Sequence, residues 1–313
     1  MLAQVALWMQ LRDAGYRLSV LESTQSSQPD SPAAATMLGS SLVEEKCTLT
    51  SFKEFEHEGW ELVADKYHQY FEQLTRQTIP ALMENIKSGT NVIDVASGPG
   101  YVAAAVEEKG CTVTGVDFSA VMVERAASTY PKIKFVEGDA EKLSFDDQYF
   151  DHYIMNFGLL HLEHPENALT EAHRLLRKGG TASFTVWAPP DRSAGFRCVL
   201  ESISRYGDPS IVLPQGPAFF RFSDKYEFLN RLNDAGFEDV KFRHIDMLWK
   251  LPDGESLFNA FFQGTPRTGG TLRAQAPEKL TAIKNAILEG SLRFKQGGCL
   301  EIPMVSLLAV ARK

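Results

Sequence analysis

The chain has 313 residues, with 32 basic and 40 acidic side chains that give a formal net charge of −8. We do not expect an acidic chain without a local basic stripe to bind nucleic acid, because that binding depends on lysine and arginine contacts with phosphate. A hydrophobic content of 44% and a charged content of 23% are typical of a globular protein. No uncharged apolar run reaches the roughly 18 residues that a membrane-spanning helix needs.

The four cysteines, Cys47, Cys111, Cys198 and Cys299, are widely separated and form no CxxC pair. This spacing argues against a structural zinc site and against a disulfide scaffold. We therefore expect a cytoplasmic protein without a bound metal. The sequence leaves its oligomeric state open.

The first part of the chain differs in composition from the rest. Residues 1–22 are apolar but lack the basic start of a signal peptide, so we predict an amphipathic helix, with a targeting segment as the alternative. Residues 23–41 are rich in serine, alanine and proline, which is typical of a flexible linker. We assign this N-terminal helix and linker to residues 1–45 and a single domain to residues 46–313.

Helical and strand patterns alternate after this linker. Apolar residues three or four apart between Phe52 and Leu74 predict a helix. The pattern then predicts strands over 91–96, 111–117, 134–137, 150–157 and 181–187, with helices over 101–109, from Ser119, and over 165–176. A helix over 224–235 and strands over 239–251 and 300–312 follow. Such alternation predicts an α/β fold with a doubly wound, Rossmann-like parallel sheet.

Two segments break this rhythm and predict insertions in the fold. Residues 188–222 are rich in proline, glycine and phenylalanine, and residues 255–295 form a helical stretch with Phe258, Phe261 and Phe262 on one side. Aromatic side chains in such insertions are expected either to cap an apolar pocket or to form the core of the cap itself. We expect these insertions to select a small, hydrophobic organic substrate.

A glycine-containing turn follows the first strand of the alternating region. Gly98, Gly100 and Ala103 also fit the GxGxxA pattern of dinucleotide-binding proteins, in which backbone closely approaches a ligand. Asp94, at the end of the strand, would repel a pyrophosphate but attract a ligand that carries an ammonium and a sulfonium group. The acid therefore favours S-adenosylmethionine over NAD, and a nicotinamide oxidoreductase is the weaker alternative.

Acidic residues recur at the ends of the first three strands. Asp117 follows Asp94 by 23 positions (117 − 94), and Asp139 follows Asp117 by 22 (139 − 117). Parallel strands place their carboxyl ends along one edge of the sheet, so one adenosyl ligand could contact all three acids. Asp117 could accept both ribose hydroxyls, and Asp139 with Ala140 could pair with the adenine edge. Each acid alone could instead be a turn or helix-cap residue.

The motifs DVASGPG, GVDFS, EGDAEKLSF and RLLRKGG occur in this order within residues 94–180. From about Gly59 to about Ala188, the chain resembles the class I S-adenosylmethionine-dependent methyltransferases, particularly the ubiquinone and menaquinone biosynthesis C-methyltransferases. The resemblance implies a seven-stranded, mostly parallel sheet with an antiparallel last strand. Ala96 stands where most of the family has glycine.

The resemblance also implies a site for S-adenosylmethionine, which methyl transfer would convert to S-adenosylhomocysteine. It assigns Asp94, Gly98 and Gly100 to the methionine part, Asp117 to the ribose, and Phe118, Asp139 and Ala140 to the adenine. It also places Ala96 among the cofactor-binding residues. It further implies that Tyr67 folds over the cofactor and that Asn156 faces the methyl group. Tyr67 equally fits simple packing against Trp60 and Phe71.

A reactive sulfonium methyl group needs only a nucleophile held in line in a site that excludes water. A poorly acidic nucleophile also needs a base, for which His161 is a candidate, although it could simply cap the following turn. The residues after Asn156 lack the Pro-Pro-aromatic sequence of enzymes that methylate amino groups of nucleic acids. We therefore predict methyl transfer to a small molecule, with an unspecified acceptor atom. A non-methylating reaction of natural-product assembly, such as a cyclisation, is the alternative.

Overall fold

The computed structural model describes residues 51–313. The N-terminal helix and linker predicted over residues 1–45 lie outside the described residues, as does the domain boundary predicted at residue 46.

A mixed sheet forms the centre of the described part of the chain. Its strands are β1 (Asn91–Val95), β2 (Thr112–Asp117), β3 (Lys134–Glu137), β4 (Phe150–Asn156), β5 (Leu176–Trp187), β6 (Glu238–Leu251), β7 (Lys295–Gln296) and β8 (Cys299–Arg312). The strand order is β3-β2-β1-β4-β5-β8-β6, and β7 pairs with β8. Strands β1 to β5 pair in parallel, while β8 runs antiparallel to its three neighbours. The predicted Rossmann-like sheet is confirmed, and the two-residue β7 is an addition to the seven predicted strands.

Helices connect and cover these strands. They are α1 (Phe52–Thr75), α2 (Ile79–Leu82), α3 (Tyr101–Glu108), α4 (Ala120–Thr129), α5 (Pro165–Leu175), α6 (Ala194–Tyr206), α7 (Lys225–Asp234), α8 (Gly254–Gly264), α9 (Arg267–Arg273) and α10 (Pro277–Ser291). Helix α1 begins with a capping box, in which the Ser51 hydroxyl accepts from the backbone of Glu54 and the Glu54 carboxylate accepts from the backbone of Ser51.

The structure places two elements differently from the sequence pattern. Strand β5 begins at Leu176 rather than at residue 181, because Leu176 pairs with Phe150 of β4 and the backbone of Gly179 and Gly180 bonds to that of Lys313. The insertion over 188–222 contains helix α6, whose side chains Cys198, Val199 and Ile203 are buried.

A hydrophobic cluster unites α1 with both insertions. Phe71 from α1, Phe196 from α6 and Phe261 from α8 share this cluster with Trp187 at the end of β5 and Trp249 on β6. We call helices α1, α6, α8, α9 and α10 the cap. Because the cluster includes the end of β5, the cap packs directly against the edge of the sheet where parallel strands end.

Candidate active site

A cavity that is partly open to solvent lies at the carboxyl ends of β1, β2 and β4. We call it the cofactor cavity. Ten of the eleven predicted site residues line it: Tyr67, Asp94, Ala96, Gly98, Asp117, Phe118, Asp139, Ala140, Asn156 and His161. The topology therefore brings together side chains that lie far apart in sequence. Gly100 is the predicted residue that does not line this cavity.

The glycine turn shapes one wall of the cofactor cavity. Ala96, Gly98 and Gly100 all have left-handed backbone, with φ values of 54°, 51° and 86°. A Cβ atom on Gly98 would meet no atom within 4 Å, whereas one on Gly100 would lie 2.8 Å from the ring of Phe135. Gly98 thus leaves room for a ligand. Gly100 allows the turn to pack on the sheet, and Ala96 adopts a conformation that glycine adopts more readily.

Asp94 presents an unpaired carboxylate oxygen at the cofactor cavity. The side chain is buried, and its Oδ2 accepts from the backbone nitrogen of Ala103 at 3.0 Å. Its Oδ1 is buried without a hydrogen-bond partner. Burial raises the pKa of Asp94 to about 8, and the nearby Asp117 adds to this effect. An unpaired acid in this position fits a ligand that brings a positive charge or hydrogen-bond donors.

Asp117 and Asp139 lie farther along the same wall. The Asp117 carboxylate accepts from the backbone nitrogens of Gly98 at 2.7 Å and Ser119 at 3.0 Å. Burial nevertheless raises its pKa to about 6. Asp139 accepts from the backbone of Glu141 at 3.0 Å and forms an ion pair with Lys53 of α1. That ion pair joins helix α1 of the cap to the wall of the cofactor cavity that carries Asp139.

Asn156 is held by three threonines at the end of β4. Its Oδ1 accepts from the hydroxyls of Thr78 at 2.8 Å and Thr185 at 2.5 Å, and its Nδ2 donates to the carbonyl of Thr75 at 3.4 Å. These bonds fix the amide at the cavity floor. They also occupy its Oδ1, which already accepts two hydrogen bonds.

Tyr67 lines the cofactor cavity and also packs within the cap. Its ring stacks on Phe71, with centroids 5.2 Å apart, and meets Trp60 edge-on at 5.0 Å. Burial raises the pKa of Tyr67 to about 12, so the phenol is neutral at physiological pH.

A second cavity, which we call the aromatic chamber, adjoins the first beneath the cap. Its aromatic walls are Trp60, Tyr67, Phe71, Phe157, Trp187, Phe196, Phe219 and Phe261. His161, Arg267 and a few residues around the start of α9 complete the lining. Trp60, Tyr67, Phe157 and His161 line both cavities. These four residues therefore form a boundary that the two spaces share, which we call the junction.

His161 pairs with a buried glutamate at this junction. Its Nδ1 lies 3.0 Å from Oε2 of Glu56, which is fully buried on α1. Trp60 donates from Nε1 to the same oxygen at 3.2 Å, and Nε of Arg267 lies 3.8 Å from Oε1. The imidazole thus faces a carboxylate of the cap. No hydrogen bond from this ring to the following turn is present in residues 51–313.

Sequence reasoning missed Lys53, Glu56 and Arg267. Lys53 and Glu56 lie 86 and 105 positions from their partners, so neither pairing is visible in the local pattern. One signal was available for Glu56, which lies four residues after Phe52 and four before Trp60 on the predicted apolar face of α1. An acid in that position needs a buried partner.

Comparison with known proteins agrees with this geometry. The family described as "Methyltransferase domain" matches residues 93–184. The demethylmenaquinone methyltransferase of Beutenbergia cavernae is 36% identical over 189 residues, covering 54% of this chain and 74% of that protein. The ubiquinone/menaquinone biosynthesis C-methyltransferase UbiE of Roseobacter denitrificans is 30% identical over 178 residues, covering 51% and 71%. The chain belongs to the class I S-adenosylmethionine-dependent methyltransferases.

A solved structure shows the same fold. Phosphoethanolamine N-methyltransferase 2 of Haemonchus contortus, in complex with S-adenosyl-L-methionine, matches with a TM-score of 0.51 and 17% identity. The match covers 85% of this methyltransferase and 60% of that chain.

The predicted family, enzyme class and cofactor are therefore confirmed. This chain is an S-adenosylmethionine-dependent methyltransferase, and hydride transfer from a nicotinamide is not favoured. A search of residues 51–313 for a helix long and apolar enough to cross a membrane finds none.

Proposed function

We propose that this methyltransferase transfers the methyl group of S-adenosylmethionine to a small, hydrophobic molecule bound in the aromatic chamber. The observation that carries the proposal is the junction between the cofactor cavity and the chamber at Trp60, Tyr67, Phe157 and His161. An acceptor in the chamber would have its reactive atom at this junction.

In this proposal, different residues of the cofactor cavity contact different parts of S-adenosylmethionine. Oδ1 of Asp94 accepts from the ammonium of the methionine part, for which its lack of another partner suits it. Asp117 receives the ribose hydroxyls, while Asp139, Ala140 and Phe118 surround the adenine. Gly98 provides close backbone approach. Gly100, by contrast, shapes the turn without touching the ligand.

The aromatic chamber would supply both affinity and exclusion of water. Phe157 and Trp187 stack with centroids 4.0 Å apart, and Phe196 packs edge-on against Trp187 and Phe219. An apolar acceptor gains roughly 25 cal/mol for each Å² that it buries there. S-adenosylmethionine supplies an activated methyl group, so the task of the chain is to hold the acceptor in line with it in a dry site.

The names of the relatives suggest a chemical class for the acceptor. Two relatives are named for methylation in quinone biosynthesis. A flat, ring-shaped acceptor of that kind suits walls made of aromatic side chains, which favour stacked and edge-on contacts. We therefore place a quinone-like aromatic compound in its reduced, hydroxylated form first among candidate acceptors.

Mass spectrometry with S-adenosylmethionine that carries a deuterated methyl group tests this proposal. The enzyme is incubated with reduced naphthoquinones and benzoquinones, simple phenols, and water-soluble amines as the contrasting class. We expect the label in a ring-containing, solvent-extractable product, and we expect Phe219→Ala to slow that reaction without weakening cofactor binding. Labelling of the amines alone would contradict the proposal, as would cofactor binding with no labelled product.

A further inference from the structure

The pairing of Glu56 with His161 lies where the acceptor would lose a proton. The carboxylate is fully buried on α1, and the imidazole follows β4 at the junction of the two cavities. We infer that Glu56 is a positioning residue, which holds His161 with Nε2 ready to take a proton from a hydroxyl of the acceptor. This inference rests on the proposed function.

The hydrogen bonds of Glu56 determine which nitrogen of His161 carries hydrogen. Oε2 already accepts from Nε1 of Trp60, and Oε1 has no hydrogen-bond partner. A carboxylate oxygen accepts hydrogen bonds and has no hydrogen to donate. Nδ1 of His161, 3.0 Å from Oε2, must then be the donor.

Hydrogen on Nδ1 leaves the lone pair of the neutral imidazole on Nε2. Within residues 51–313, Nε2 of His161 makes no hydrogen bond. The ring is fixed by an edge-on contact with Trp60, with centroids 4.8 Å apart, and by a second edge-on contact with Phe219 at 6.0 Å. A basic nitrogen in a fixed orientation therefore lines both the cofactor cavity and the aromatic chamber.

The surrounding charges can accommodate a protonated His161. Glu56 would face the new imidazolium directly, because its Oε2 lies 3.0 Å from Nδ1 of the ring. Asp117 also interacts electrostatically with His161 across the cofactor cavity. A proton taken up at Nε2 would thus be balanced by nearby acids.

The step balances in atoms and charge. The O–H bond of the acceptor breaks, its proton binds Nε2, and its electron pair remains on the acceptor. The acceptor anion then forms a bond to the methyl carbon while the carbon–sulfur bond breaks and leaves its electron pair on sulfur. A hydroxyl on an aromatic ring fits this chemistry, because it is too weakly acidic to ionise fully at neutral pH but can be deprotonated by an imidazole that is held in place.

Kinetics with the best acceptor from the screen test the role of each residue. General-base catalysis typically contributes about 10²- to 10⁴-fold, so we expect His161→Gln to lower kcat within that range. We expect Glu56→Gln to lower kcat by about tenfold or more while KM and the affinity for S-adenosylmethionine change less than about threefold. The deficit should shrink for acceptors made more acidic by ring substituents. Glu58→Gln and His164→Gln, two exposed positions nearby, serve as controls that should keep the original kcat.

Nitrogen-15 NMR of the full chain, with no acceptor present, tests the pairing independently. The His161 signal is assigned by its loss in His161→Gln. We expect the Nδ1–H form in the unmutated enzyme and a gain of the Nε2–H form in Glu56→Gln. A neutral His161 with hydrogen on Nε2, or a Glu56→Gln enzyme with kcat within twofold of the original, would overturn the inference. Cofactor binding without methyl transfer to any acceptor would instead refute the proposed function.

Discussion

Replacing Asp94 by asparagine separates the stability of this methyltransferase from its binding of the cofactor. The substitution keeps an oxygen that can accept from the backbone of Ala103 at 3.0 Å. It removes a carboxylate whose Oδ1 is buried without a partner. We expect Asp94→Asn to raise the stability of the ligand-free enzyme and to weaken its binding of S-adenosylmethionine, because the acid is costly until a cation joins it.

The magnitude follows from the pKa of Asp94, which burial raises from 3.8 to about 8. Between these values the folded chain holds a proton that the unfolded chain releases, so stability is full below about pH 4 and falls as the pH rises to 8. At 1.36 kcal/mol per pKa unit, the loss reaches about 2 kcal/mol at pH 5 and about 5 kcal/mol at pH 8. Asp94→Asn removes this loss, so its advantage should grow by about 3 to 4 kcal/mol between these two pH values.

Urea denaturation of the ligand-free enzyme at pH 5 and pH 8 measures this difference. The exposed Asp146→Asn, for which we expect no pH-dependent difference, is the matched control. Calorimetry should show that S-adenosylmethionine binding at pH 7 releases close to one proton from the unmutated enzyme and none from Asp94→Asn. An Asp94→Asn enzyme that is less stable at both pH values and binds the cofactor with its original affinity would refute the reasoning.

Three further predictions concern the glycine turn, the chamber and the ribose site. Gly100→Ala should destabilise by about 2 to 4 kcal/mol, since it adds a close contact with Phe135 to the strain of a left-handed backbone. Gly89→Ala, left-handed but in open space, should cost only about 1 kcal/mol in the same urea titration; equal losses would show that packing is unimportant. Phe219→Ala should raise the KM of the acceptor about tenfold at an unchanged cofactor affinity. A variant that weakens only the affinity for the cofactor would show that the aromatic chamber is not the acceptor site. Asp117→Asn should weaken S-adenosylmethionine binding at least about tenfold by calorimetry, because one amide oxygen cannot replace two carboxylate oxygens; full retention of affinity would exclude the ribose assignment.

The residues of the cofactor cavity could be predicted from the sequence because each of the signals for them is local. Asp94 and Asp117 end buried strands, and the topology of a parallel sheet then brings strand ends to one edge. The features that the sequence pattern missed depend on pairing between distant segments. The first residues of strand β5 pair with Phe150 and with Lys313, and no sequence window around residue 176 could show these partners.

The aromatic chamber depends on contacts between the cap and the sheet, and these contacts are not local. Glu56 and His161 meet across 105 positions of sequence. Phe196 and Phe261 come from different insertions and meet edge-on with centroids 5.5 Å apart. The aromatic content of the insertions predicted an apolar cap. The junction between the aromatic chamber and the cofactor cavity could be seen only in the structure.

A crystal structure with bound S-adenosylhomocysteine tests the central claim most directly. We predict that the ribose hydroxyls lie within hydrogen-bond distance of Asp117, that the amino group meets Oδ1 of Asp94, and that the sulfur faces the junction lined by Phe157 and His161. A ligand bound outside the cofactor cavity, or one whose sulfur points away from the aromatic chamber, would contradict the account.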